Sequence, residues 1–153
     1  MNKQEQILND FLVEIFNEIL KVEGNALKKG KFKNLSIREM HVIEAVVKNE
    51  KAGNNTSSNI AKSLNITPGT LTISVNALEK KGYLKRERND EDKRVIKIYA
   101  TKLGHEVEKN HAQFHENMVR EMLNFFPEEK REVLIQGVVE LEKFFTNKSK
   151  AGE

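Results

Sequence analysis

The stretch from Thr56 to Lys81 limits the folds open to this chain more than any other. Thr56 or Ser57 is placed to cap a short helix whose apolar residues Ile60, Ala61 and Leu64 share one side. Asn65 follows, a residue type that tolerates the left-handed backbone found just past a helix end, and Ile66 anchors the turn. Thr67 then caps a second helix, with Pro68 at the first position, where a missing N–H costs nothing. Leu71, Val75 and Leu78 form its inward stripe, and Ala61 is small where the two helices cross. Two short helices, a tight turn and a small crossing residue make a helix-turn-helix.

What flanks this unit narrows the architecture further. After Gly82 the period changes, and residues 83–88 and 95–99 read as two strands around the polar loop Asn89-Asp90-Glu91-Asp92-Lys93-Arg94. A hairpin attached directly to the second helix is a wing. Upstream, Ser36 with Glu39 three residues on forms a capping box for a helix from Ile37 to about Asn49, and Gly53, Asn54 and Asn55 mark a loop. At the N-terminus the pairs Ile7–Leu8, Phe11–Leu12, Ile15–Phe16 and Ile19–Leu20 recur every four residues, which predicts one broad apolar stripe on a helix over about 3–27. Thr101 is placed to cap a long helix to about Phe125, and a last helix carries Leu134, Val138, Leu141 and Phe145, with Ile135 and Val139 beside them. The expected fold is mainly α with a small β-hairpin wing. It is one domain over 1–153, with the winged helix at 37–100 and with 3–27 and 101–148 serving as dimerisation helices. The stripes on those terminal helices exceed what one small domain can hide, so a homodimer is expected, reading an inverted repeat.

Composition removes other classes. The chain has no cysteine, so neither a disulfide framework nor a thiolate metal site is available. No apolar run approaches the roughly 20 residues that span a bilayer, no secretory leader is read, and a cytoplasmic protein is expected. There is no Gly-rich phosphate loop, no Gly-x-Ser-x-Gly and no His-Glu-x-x-His, so nothing points to an enzyme, and no cofactor is expected. The net charge of +3 says little about partners, but its distribution says more. Between Lys80 and Lys102 nine basic residues face four acidic ones, an excess larger than that of the whole chain. A charge run is ordinarily a solvated face; this one coincides with the hairpin, where a winged helix meets phosphates. With Leu71, Val75 and Leu78 inward, the outward face of the second helix carries Gly69, Thr72, Ile73, Asn76, Ala77 and Lys80, with Thr70 at its edge. Small and polar groups of this kind reach base edges, Lys80 reaches a phosphate, and an exposed Ile73 suits a thymine methyl.

The order of elements, with Leu78-Glu79-Lys80-Lys81-Gly82-Tyr83-Leu84, Asp92-Lys93-Arg94-Val95 and Ala100-Thr101, resembles the MarR family of bacterial transcriptional regulators over essentially the whole chain. Ile73 departs from it, since many members carry Arg there. The resemblance implies double-stranded DNA as partner, a wing residue Arg94 that enters the minor groove beside Arg88 and Lys93, and Asp92 as the group that orients an Arg. A narrower resemblance, at Ser36-Ile37-Arg38-Glu39-Met40-His41 and His111-Ala112-Gln113-Phe114-His115, is to the MarR-type repressors of fatty-acid synthesis genes in Gram-positive bacteria. It implies a repressor with long-chain acyl-acyl-carrier protein as corepressor, and an effector pocket drawing on Ile15, Phe16, Ile19, His41, His111, Phe114, His115 and Met118. The cluster Lys28, Lys29, Lys31, Lys33 and Arg38 is a solvated loop or a dock for that acidic carrier.

The histidines leave alternatives open. His111 and His115, at i and i+4, share a helix face. With His41 they are structural, or they recognise the polar end of a ligand, or they hold zinc with Glu23 or Glu116 as a further ligand. Within the same class, a regulator responding to zinc or another small molecule is therefore the alternative. Outside it stand a non-specific architectural DNA-binding protein, opposed by the modest net charge, and a protein-binding adaptor, opposed by the concentrated basic wing.

Overall fold

The computed structural model describes residues 1–88, 92 and 94–151. Its elements are α1 (Lys3–Lys29), α2 (Ile37–Lys51), α3 (Ser57–Ser63), α4 (Pro68–Lys80), β1 (Leu84–Arg88), β2 (Ile96–Ala100), α5 (Lys102–Phe125) and α6 (Glu128–Ala151). The chain divides into two compact units, Met1–Asn110 and His111–Glu153.

Local chemistry explains the element ends. Asn2 and Ser36 each close a capping box, with Glu5 and Glu39 respectively, at the start of α1 and α2. Thr56, not Ser57, caps α3 by accepting the Asn59 N–H, and Thr67 caps α4 by accepting the Thr70 N–H, with Pro68 at the first helical position. Helix α3 stops at Asn65, whose φ of 52° lies in the left-handed region. There the Asn65 and Ile66 amides donate back to Lys62 O and Ala61 O, which satisfies carbonyls the helix leaves open. Gly82, with φ of 81°, ends α4 by the same device, through Gly82 N–H to Glu79 O and Tyr83 N–H to Leu78 O. The chain thereby turns straight from α4 into β1.

In the first unit the core is continuous. Ile43, Val46 and Val47 of α2, Ile60 of α3, Leu71, Val75 and Leu78 of α4, and Ile98 of β2 are sealed from solvent, and Val107 of α5 joins them. β1 and β2 pair antiparallel, with Leu84 opposite Ala100, Arg86 opposite Ile98 and Arg88 opposite Ile96. The strands begin one residue later than the period predicts, because Tyr83 completes the turn and its ring lies buried in the core. The loop before α3 joins the hairpin. Ile98 N–H donates to Asn55 O, and the buried Asn55 amide donates to Ile98 O, both at 2.9 Å, while Thr56 makes an isolated bridge to Lys97. Backbone bonds and one side-chain amide thus pin the wing to the helix-turn-helix.

Helices α1 and α2 run about two residues past the expected ends. On the single chain much of the α1 stripe is exposed, including Ile7, Phe11, Phe16 and Leu20. The second unit holds the end of α5 and all of α6, where Ile135, Val138, Val139 and Phe145 are likewise exposed. No helix among the described residues is long and apolar enough to cross a membrane.

Candidate nucleic-acid interface

Helix α4 presents the face that its period predicts. Gly69, Thr70, Thr72, Ile73, Asn76 and Lys80 are exposed, and Ile73 is open to 73% of its surface. Ala77 is half-buried on the flank of this face. The hydroxyls are organised. Thr72 donates to Pro68 O at 2.9 Å, and Thr67 and Thr70 share a hydrogen bond of 2.8 Å. The helix thus offers an apolar centre in Ile73, flanked by Thr72 and Asn76.

The wing carries Arg88, Asp92 and Arg94, all exposed. Lys93 lies outside the described residues, as do Asn89, Asp90 and Glu91 of the expected loop. Asp92 accepts the backbone N–H of Arg94 at 3.0 Å, so its carboxylate acts on the turn that carries the arginine. Arg94 lines a cleft with Thr56, Ser57 and Ser58 at the start of α3, which sets the wing arginine beside the helix-turn-helix.

Part of the basic surplus between Lys80 and Lys102 is internal wiring. Lys81 reaches back to α2, donating to both Glu39 oxygens at 2.8 Å and to Asn34 O at 2.7 Å. Burial alone would push the Glu39 carboxyl up. The Lys81 hydrogen bond and charge, with the bonds from Ser36, outweigh it and hold the group below its ordinary range. Lys85 pairs with Glu87 on the same strand. Arg86 belongs to the same surplus, but charge counting assigns it no partner. From β1 it pairs with Glu79 of α4, its N–H donates to Glu79 Oε1 at 2.8 Å, and its Nη1 donates to Asn76 Oδ1 at 2.8 Å. The strand period contains the signal that would have found it: Arg86 is two residues from the buried Leu84 and so shares the side that faces α4.

The expected effector residues fall in both units. In the first, Ile15 is half-buried, Phe16 and Ile19 are exposed, and His41 Nε2 lies 3.5 Å from Glu23 Oε2, with Glu23 buried. In the second, His111 is buried, Phe114, His115 and Met118 are half-buried, and the Nε2 atoms of His111 and His115 are 3.1 Å apart. In that contact one ring nitrogen donates and the other accepts. The Phe114 ring stacks on His111 with centroids 6.1 Å apart. Of the basic loop, Lys28, Lys29, Lys31, Lys33 and Arg38 are all exposed, and Lys31 bonds to Glu106 at 2.8 Å, lowering that carboxyl's pKa.

A helix-turn-helix with a hydrogen-bonded hairpin beside its second helix, and an exposed residue set of this kind, defines a winged-helix DNA-binding transcriptional regulator. The chain belongs to the MarR-type winged-helix regulators, and the family model for the transcriptional regulator SarA/Rot matches residues 26–112. Among solved structures, FabT of Streptococcus pneumoniae in complex with DNA is 37% identical, covering 94% of this chain and 98% of that one, with a TM-score of 0.83. The fold is shared with Staphylococcus aureus MepR in its DNA complex, 18% identical over 90% of this chain and 97% of that one, at a TM-score of 0.71. It is shared also with the zinc-responsive MarR family member ZitR of Lactococcus lactis, 23% identical over 90% and 99%, at 0.62. Comparison with curated proteins gave no match. Family and fold are those of transcription regulators.

Proposed function

We propose that this regulator is a repressor of fatty-acid synthesis genes whose grip on its operator tightens when long-chain acyl-acyl-carrier protein binds. The observation that carries the reading is the 37% identity to FabT over 94% of the chain, together with the Ser36–His41 and His111–His115 stretches that resemble the fatty-acid repressors. Gly69, Thr70, Thr72, Ile73, Asn76, Ala77 and Lys80 meet the major groove, while Arg88, Lys93 and Arg94 follow the backbone and the minor groove, and Asp92 sets the turn that aims Arg94. The exposed apolar stripe of α1 and that of α6 are covered by a second copy of the chain, and the two recognition helices then read an inverted repeat with half-sites about 34–36 Å apart.

The effector's alkyl chain is received by Ile15, Phe16, Ile19, Phe114 and Met118, with His41, His111 and His115 at its polar end. Each buried methylene contributes about 0.8 kcal/mol, so a difference of a few carbons changes affinity tenfold or more. The exposed Lys28, Lys29, Lys33 and Arg38 offer opposite charge to an acidic carrier, which speeds docking and weakens with salt.

The test is fluorescence anisotropy on an operator duplex from the protein's own regulon, with metal-free protein and acyl-carrier protein bearing a short or a long acyl chain. Tighter operator binding with the long chain alone supports the reading. Binding restored only by zinc, and abolished by a chelator, replaces it with a metal-responsive regulator in which the histidines are ligands. A response to neither removes the effector assignment. Equal affinity for operator and scrambled duplexes points instead to an architectural protein.

A further inference from the structure

The flank of α4 that turns toward β1 carries Thr72, Asn76 and Glu79, each three or four residues from the next. Arg86 reaches all three from the strand. Its Nη1 bonds to Glu79 Oε2 and, at 2.8 Å, to Asn76 Oδ1, and its Nη2 donates to Thr72 O at 3.3 Å. Glu79 also accepts the Arg86 backbone N–H at 2.8 Å, so Glu79 holds the residue at its backbone as well as at its guanidinium. Side-chain exposure of the pair is 25% for Arg86 and 30% for Glu79, shielded enough for the bond to keep its geometry.

A guanidinium only donates. The end of the Asn76 carboxamide that faces Arg86 is therefore its oxygen, by chemistry rather than by choice of rotamer. One lone pair of that oxygen is occupied, and the adjacent positive charge opposes the approach of a base amino group to the other. The carboxamide NH2 is left for the outside, and the bond to a cation polarises it into a stronger donor. A free asparagine reads adenine by accepting from N6 and donating to N7 at once. Asn76 is denied the first half of that pattern.

We propose that Arg86 is a positioning residue that makes Asn76 a donor-only reader, so that this position of the operator is selected for a base acceptor (purine N7, guanine O6 or thymine O4) and not for the amino group of adenine. The inference rests on the reading that the outward face of α4 lies in the major groove. It explains why an arginine in the basic wing is neutralised by Glu79 instead of being offered to phosphate.

The experiment is a base-analogue scan of one operator half-site by fluorescence anisotropy, using the intact protein and its N76A variant. Acceptors are removed with 7-deazapurines, with 2-aminopurine for guanine O6 and with 5-methyl-2-pyrimidinone for thymine O4; amino donors are removed by replacing adenine with purine and cytosine with 2-pyrimidinone. At one position the loss of an acceptor is expected to weaken the intact protein about 3–10-fold, the range of one hydrogen bond, and to leave N76A unaffected. Removing amino donors is expected to change nothing that N76A does not also lose. A loss on removing an adenine amino group that vanishes in N76A would overturn the proposal, and so would a scan identical for the two proteins. In the latter case, I73A and R94A on the same duplex separate the two failures: loss in those variants spares the interface and removes only Asn76, whereas no loss removes the interface as well. Arg86 itself is tested in the double variant R86M/E79M, which avoids stranding a partly buried carboxylate. Its melting temperature is measured first. In this folded variant the discrimination at the Asn76 position is expected to fall at least about threefold, whereas a single merely structural brace would lower affinity for all duplexes alike and leave discrimination unchanged, and that result overturns the role of Arg86.

Discussion

Gly104 sits in the first turn of α5, and helix propensity alone predicts that Gly104→Ala would stabilise the protein by about 1 kcal/mol. The packing predicts the opposite sign. A Cβ at this position would lie 2.3 Å from the Tyr83 carbonyl oxygen and 3.2 Å from Ala100 Cβ. The oxygen cannot swing away as a side chain would. It accepts the Thr101 N–H at 3.0 Å and belongs to the residue that closes α4 through its own N–H to Leu78 O. The methyl group must therefore push α5 off the end of the winged helix or break the bond that starts it. Overpacking of a fixed site costs about 1–3 kcal/mol, and the backbone contact puts this case at the upper end or above. After the propensity gain, the net loss is about 2 kcal/mol. With a urea m-value of about 1–3 kcal/mol/M, the midpoint falls by roughly 1 M. Equilibrium urea unfolding followed by circular dichroism measures it, at one fixed protein concentration because association contributes to the midpoint. Gly24→Ala in α1 is the control: its nearest neighbour would be Ile37 Cγ1 at an ordinary 3.8 Å, so it should be neutral or gain up to about 1 kcal/mol. If Gly104→Ala proved as stable as the parent protein, the docking of α5 against Tyr83 described above would be wrong.

The other expectations follow from the interface and its supports. Arg94→Ala should weaken operator binding by about 1–3 kcal/mol per half-site and flatten the salt dependence, read by titration at several salt concentrations; unchanged slope and affinity would take Arg94 off the DNA. Ile73→Ala should lower affinity for the native site yet hardly alter binding to a site with uracil at the contacted thymine, and equal loss on both would assign Ile73 to the fold instead. Glu39→Gln should destabilise the protein by about 1–2 kcal/mol at neutral pH by loosening Lys81 from α2. Because the folded Glu39 carboxyl lies below its ordinary range, its contribution is complete above the unfolded-state value near 4.3 and is lost as pH falls through the folded value, so parent and variant should converge in acid thermal melts. A gap that persisted there would point to packing. Sedimentation equilibrium should find a dimer at micromolar concentration, and a stable monomer would leave the α1 and α6 stripes without their assigned cover.

The helix-turn-helix was legible in the sequence because its determinants are local. Caps at Thr56 and Thr67, the left-handed stop at Asn65, Pro68 at a first helical position and the stripe Leu71–Val75–Leu78 act within one turn of the backbone they shape. The same periodicity fixed which face of α4 is outward, and hence the exposure of Ile73. A period states which way a side chain leaves its own element, and nothing about what stands opposite. The tertiary structure alone decided that Lys81 spans to Glu39, 42 residues away, and that Asn55, placed in a loop by its neighbours, is buried as the clamp on β2. It alone decided that Gly104 leaves room for a carbonyl and not merely for a turn. Arg86 shows the difference most plainly. Counted along the chain it is one more positive charge for DNA; set against α4 by the strand register, it is the donor that turns Asn76 around, because a hydrogen bond is made by position in space and charge composition carries no position.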